Sequence, residues 1–168
     1  MKRMLFAVMV LAGAMGCMAQ GASVRAKPSF AGTWTMNMEK SDLGQMPKPK
    51  SQAETITQTA DGIMIAIAAD RGEMGKQNYT FSAKFDGSET PVSSGAFPAE
   101  SPFKILSTKA EWQGSVLVIT QKTSFQDATG TLKTTYTLSE DGKVLTSTMH
   151  ITFGDVAEFD TKTVYDKN

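Results

Sequence analysis

From Phe30 onward the chain alternates apolar and polar side chains in short runs. Tyr79, Phe81, Ala83 and Phe85 fall on one side of an extended segment, with Thr80, Ser82 and Lys84 on the other. Leu132, Tyr136 and Leu138 oppose Lys133, Thr135 and Thr137, and Leu145, Met149, Ile151 and Phe153 oppose Thr146, Thr148, His150 and Thr152. Successive side chains of an extended chain point to opposite faces, so this period of two predicts antiparallel strands with one buried face. Val116 to Ile119 is apolar on both sides and predicts a strand covered on both faces. Runs of this kind, rich in Thr, Val, Ile and aromatics, span 30–38, 54–60, 63–69, 79–85, 108–112, 115–125, 131–139, 144–153 and 161–165. No long stretch repeats apolar positions at helical spacing. Met38 to Leu43 has room for one helical turn, with Ser41-Asp42 as turn or cap residues.

The turn residues set the order of these strands. Asp61-Gly62, Gln113-Gly114 and Asp141-Gly142 each precede an apolar run, and glycine accepts the positive φ of a tight hairpin without steric cost. Asp70 to Gly75 is glycine-rich but joins two strands, which makes it a hairpin loop and not a phosphate cradle. Strands linked by hairpins pair in sequence order, so the prediction is an all-β antiparallel meander closing into a barrel of about 8–10 strands. Two connections are longer. Lys40 to Gln52 carries Pro47 and Pro49; Asp86 to Ser107 carries three prolines with apolar Val92, Phe97 and Phe103. The second has the length of a binding loop, although packing of Phe97 and Phe103 over one end of the barrel is the simpler reading.

The first residues read as an address. Lys2 and Arg3 precede the uncharged stretch Met4 to Met15, and the small residues Gly16, Cys17 and Ala19 follow. This is the layout of a secretory signal peptide, an N-terminal signal helix, and it falls short of the roughly 20 apolar residues of a membrane span. The expected organisation is a signal peptide at 1–19, a polar linker at 20–29 and a barrel domain at 30–168. Cleavage after Ala19 releases a soluble chain beginning at Gln20. Alternatively Ala14-Met15-Gly16-Cys17 resembles a lipobox, in which case the signal is 1–16 and Cys17 is the lipidated first residue. The expected location is the periplasm or the medium, or a membrane surface through that lipid.

Charge and composition narrow the function. The 17 basic residues balance 17 acidic ones, and loss of Lys2 and Arg3 leaves 15 against 17. That excludes nucleic-acid binding driven by bulk charge. Membrane contact is expected only through the signal peptide or a lipidated Cys17. One Cys and one His exclude a Cys/His zinc site and a disulfide framework, and no cofactor is expected.

Gly32-Thr33-Trp34, on the first strand, resembles the Gly-x-Trp that opens lipocalins and their lipocalin-like (calycin-type) relatives, whose Trp closes one end of the barrel. The wider phrase, with Asn37, Lys40-Ser41-Asp42 and Gly44, resembles a family of uncharacterised secreted bacterial proteins. That family's later Trp-x-Gly strand and Leu-Ser-x-Asp-Gly turn have counterparts at Trp112-Gln113-Gly114 and Leu138 to Gly142. The resemblance implies a lipocalin-like barrel and a small hydrophobic ligand within it. The cysteines and clear C-terminal helix of typical lipocalins have no counterpart here.

Catalytic chemistry finds little support. Acyl transfer needs a base beside its nucleophile, and His150 falls on the polar set of its strand. Glu158 and Asp160 read as loop residues near the C-terminus, while Asp61 and Asp141 read as turn residues. No run spaces oxygen ligands for calcium. No catalytic or metal residue is assigned, and the expectation is a binding protein, not an enzyme. The residues expected to line a ligand cavity are Trp34, Tyr79, Phe81, Trp112, Tyr136 and Met149, with Phe85 beside them. The alternative is that they fill the barrel, as in most small barrels, leaving a structural or protein-interaction module whose surface does the work. A connected cavity of roughly 300 Å³ or more separates the two readings. Trp34 itself is expected to be buried with Phe30, Met36 and Met38, its indole N–H on a backbone carbonyl.

Overall fold

Each alternating run of the sequence forms a strand. A computed structural model describes residues 27–92, 103–126, 128–154 and 157–168. The signal segment, Cys17 and Phe97 lie outside these residues. The described strands are β1 (Gly32–Met36), β2 (Ser51–Gln58), β3 (Gly62–Asp70), β4 (Lys76–Lys84), β5 (Thr90–Pro91), β6 (Phe103–Gln113), β7 (Val116–Phe125), β8 (Ala128–Leu138), β9 (Val144–Phe153) and β10 (Ala157–Lys167). A single 3-10 turn, Gly72–Met74, lies between β3 and β4.

The largest departures from the sequence reading are two strand starts and one extra strand. β6 starts at Phe103 and β10 at Ala157, each several residues earlier than the β-rich run itself. Glu158 and Asp160 therefore stand on a strand and not in a loop. They pair with Thr152 and His150, because Phe159 and Thr161 continue the inward set of β10. β5 pairs only Thr90 with Thr108 and Pro91 with Ser107, too short to leave any alternation in the sequence. Residues 38–40 turn without forming a helix.

All strands join one antiparallel sheet in the order β4-β3-β2-β1-β10-β9-β8-β7-β6-β5. β1 is the keystone, paired with β2 on one side and β10 on the other. The sheet curls until β4 packs beside β5 and β6 without a ladder between them. The result is a nearly closed barrel, compatible with a lipocalin-like fold.

One end is solid. Trp34 is fully buried, and its indole N–H donates to the Phe30 carbonyl at 2.8 Å. Phe30 stacks on Trp112 at 5.8 Å and meets Tyr136 edge-on at 6.3 Å, while Phe85 packs 5.4 Å from Trp112. The segment before β1 is tied down by the Phe30 N–H donating to Gln58 Oε1 and by Gln58 Nε2 donating to the Pro28 carbonyl. Gly32 has φ +143°, and a Cβ there would lie 3.2 Å from Lys167 Cε, so the residue before this aromatic plug has reason to be glycine. Leu117, Val118 and Ile119 are all buried, as expected of a strand apolar on both sides.

The phrase after Trp34 is a clasp. Asn37 Nδ2 donates to Asp166 Oδ2 at 2.7 Å, and the Lys40 N–H donates to Asn37 Oδ1 at 3.1 Å. Ser41 Oγ donates to the Asn37 carbonyl at 2.6 Å and accepts the Val164 N–H at 3.0 Å. The chain then returns to the edge of β10, where Asp42 exchanges backbone hydrogen bonds with Lys162. The clasp delivers Leu43, Met46 and Pro47 to the other end of the barrel.

Candidate functional site: a cavity at the open end

The other end is hollow. A cavity of about 580 Å³ runs into the barrel, above the roughly 300 Å³ that separates the cavity reading from a filled interior. The cause lies in the inward positions. Toward the plug they are Leu117, Leu145 and Ile65; farther up they include the small or polar Thr134, Ser147, Thr163 and Gln121. Short side chains across from one another leave volume that Leu or Phe would fill.

Of the residues singled out by sequence, Tyr79, Phe81, Tyr136 and Met149 line this cavity. Trp34 and Trp112 do not; both belong to the plug, because they sit on inward rows nearer the solid end. The upper wall is apolar: Phe103, Ile105, Phe125, Leu132, Ile151, Phe153 and Phe159, with Leu43 and Met46 from the clasp. At the rim Phe125 and Phe153 meet edge-on at 6.5 Å, and Met74 and Phe125 are exposed.

The lower wall is polar, and sequence reasoning missed it. Glu54 faces inward on β2, in register with Trp34 on β1 and Ile67 on β3. Tyr79 follows Ile67 across β4. Glu54 is 3% exposed. The Tyr165 hydroxyl donates to Glu54 Oε1 at 2.5 Å and accepts from Gln52 Nε2 at 2.8 Å. Glu54 Oε2 is buried with no hydrogen-bond partner. The signal was available: Glu54 shares the inward face with Ile56 by period two, and a charge on the apolar face of a strand is anomalous.

Burial governs the electrostatics. It pushes the Glu54 carboxyl up to about 7, outweighing the Tyr165 hydrogen bond that pulls it down. Burial, then the Glu54 charge, pushes the Tyr79 phenol up to about 12 despite Arg71. The same two causes raise Tyr136 and Tyr165 well above the ordinary tyrosine range. Among the cavity-lining residues the charged side chains are Glu54, Arg71 and Lys76. Arg71 and Lys76 belong to the β3–β4 turn region at the rim, where Arg71 Nε donates to Gln77 Oε1 at 2.8 Å.

His150 stands elsewhere, half-exposed on the outer face. Its Nδ1 is 2.8 Å from Asp160 Oδ1 and its Nε2 3.5 Å from Glu158 Oε1. Among the described residues no group of three or more His, Cys, Asp or Glu side chains is arranged to hold a metal ion. No helix among them is long and apolar enough to cross a membrane. Fold and site thus define a nearly closed antiparallel barrel, plugged at one end and hollow at the other. No protein-family model and no curated protein matches this chain.

Proposed function

We propose that this protein is an exported, lipocalin-like binding protein that holds a small, largely apolar molecule inside its barrel and does no chemistry on it. The observation that carries the reading is the cavity. At about 580 Å³ it falls within the range of small-molecule sites, and it combines an apolar wall with a few convergent polar groups. The apolar rim of Met74, Phe125 and Phe153 suits the passage of such a molecule from water. Export rests on the charged start, apolar stretch and small residues of 1–19, with Gln20 or a lipidated Cys17 as the first residue of the mature chain. The mass of the protein recovered from cells distinguishes those two starts, and an intact Met1 rejects export.

Nile red, an uncharged apolar dye, tests the binding reading. It is expected to bind with one-to-one stoichiometry and a blue-shifted emission, and Met149→Trp, which fills the cavity from β9, is expected to abolish this while the protein still melts cooperatively. Equal dye binding by Met149→Trp and the wild type places the dye outside the barrel and rejects the reading.

A further inference from the structure

We infer that the ligand carries a protonated amine, and that its ammonium group sits at the bottom of the cavity against Glu54 Oε2. The inference rests on the binding reading above and names the class of molecule bound. Glu54 is the one acid among the described residues of the cavity wall, it is almost wholly buried, and one of its two oxygens has no partner. A buried polar atom left unpaired carries a desolvation cost, larger when charged, that a bound donor relieves. The groups facing Glu54 are Gln52 on its own strand, Trp34 on β1, Tyr79 on β4, Tyr136 on β8 and Tyr165 on β10, with Arg71 beyond Tyr79.

An ammonium fits this floor better than any other head group. It donates to Oε2 and restores the charge balance that burial denies the carboxylate. Ser147, Thr134 and Thr163 line the same cavity and offer hydroxyl oxygens to its remaining protons. A carboxylate head would meet Glu54 as a like charge. Its natural place is the rim, beside Arg71 and Lys76. Lys76 pairs with Asp70, three residues along the ladder from Tyr79, roughly 10 Å from the floor. The apolar remainder of the amine then lies along Ile105, Leu132 and Ile151 toward the open end. Raised as it is by burial, the Glu54 proton leaves when the ammonium arrives, so binding strengthens as pH rises through about 7.

Calorimetric titration with dodecylamine, dodecanol and dodecanoate, each below its micelle concentration or solubility limit, tests this. The purified protein is expected to bind dodecylamine at least about tenfold more tightly than dodecanol, and dodecanoate least tightly. Glu54→Gln is expected to remove the preference for the amine over dodecanol, with cooperative thermal melting reporting that the variant is folded. In the wild type, dodecylamine affinity is expected to rise across pH 7 while dodecanol affinity stays level, a readout that needs no variant. Dodecanoate binding as tightly as dodecylamine, or a level amine profile across pH 7, overturns the inference and leaves apolar binding standing. Failure of all three probes to bind overturns the binding reading itself.

Discussion

At the scale of single residues, Glu54 and Trp34 carry opposite costs. Glu54 ionises near 4.5 in an unfolded chain and near 7 in the barrel. Between those values the folded protein holds a proton that the unfolded chain has released. Stability from this group is therefore greatest below about pH 4.5, falls as pH rises toward 7 and stays lowered above it. The loss is about 3 kcal/mol at full ionisation. Glu54→Gln keeps an acceptor for the Tyr165 hydroxyl and cannot ionise. Urea denaturation at a series of pH values is expected to show the variant level across this window and more stable than the wild type above it. A wild-type profile that does not fall there contradicts the burial of an ionisable Glu54. Trp34 does the reverse: it fills the plug and satisfies its own N–H on Phe30. Trp34→Ala is expected to cost about 3–5 kcal/mol. Trp34→Phe, which loses the hydrogen bond but keeps most of the packing, is expected to cost less. Thermal melting of both variants checks this, and an alanine variant as stable as the wild type would show that the plug does not depend on Trp34.

At the scale of elements, the clasp after β1 links the fold to the site. Its residues resemble a motif, yet none of Asn37, Lys40, Ser41, Asp42 or Gly44 lines the cavity. They hold the connection against β10 so that Leu43 and Met46 reach the open end. Gly44 has φ +55°, and a Cβ there would lie 2.8 Å from the Asp160 carbonyl oxygen, so only glycine passes β10 at this point. Ser41→Ala removes the acceptor of the buried Val164 N–H, a loss expected to cost about 1–3 kcal/mol. Hydrogen exchange is expected to show the Val164 amide exposed faster in this variant, with the β7–β8 amides little changed. Unchanged exchange at Val164 would mean that the clasp does not secure β10. Strand signals were strongest where alternation was long, as in β8 and β9. They failed for β5, where two residues leave no period to read, and for the start of β10, where Ala157, Glu158 and Asp160 are residue types depleted in strands.

At the scale of the whole molecule, β1 bridges two blocks of strands, β2–β4 and β5–β10, and among the described residues no ladder closes the seam opposite β1. The solid end joins the two blocks through Phe30, Trp34, Trp112 and Tyr136, and the hollow end leaves their polar inward positions facing one another. Plug and cavity thus share one barrel: stacked aromatics fill one end, and the short or polar inward Thr134, Ser147 and Thr163 leave space above them.

By itself the sequence determined the strands, their faces, the meander and the burial of Trp34. These follow from contacts a few residues apart: a period of two, a glycine turn, a tryptophan on an apolar face. Tertiary structure alone decided which inward aromatics line a space and which fill one. Tyr136 touches the plug through its ring and the cavity through the same side chain, a distinction no period in β8 contains. It also decided what Glu54 is. On β2 it is one polar residue in an alternating run. Its burial, its bond to Tyr165 more than a hundred residues away and its unpaired oxygen arise only when β10 closes on β1 and the barrel removes that carboxyl from water.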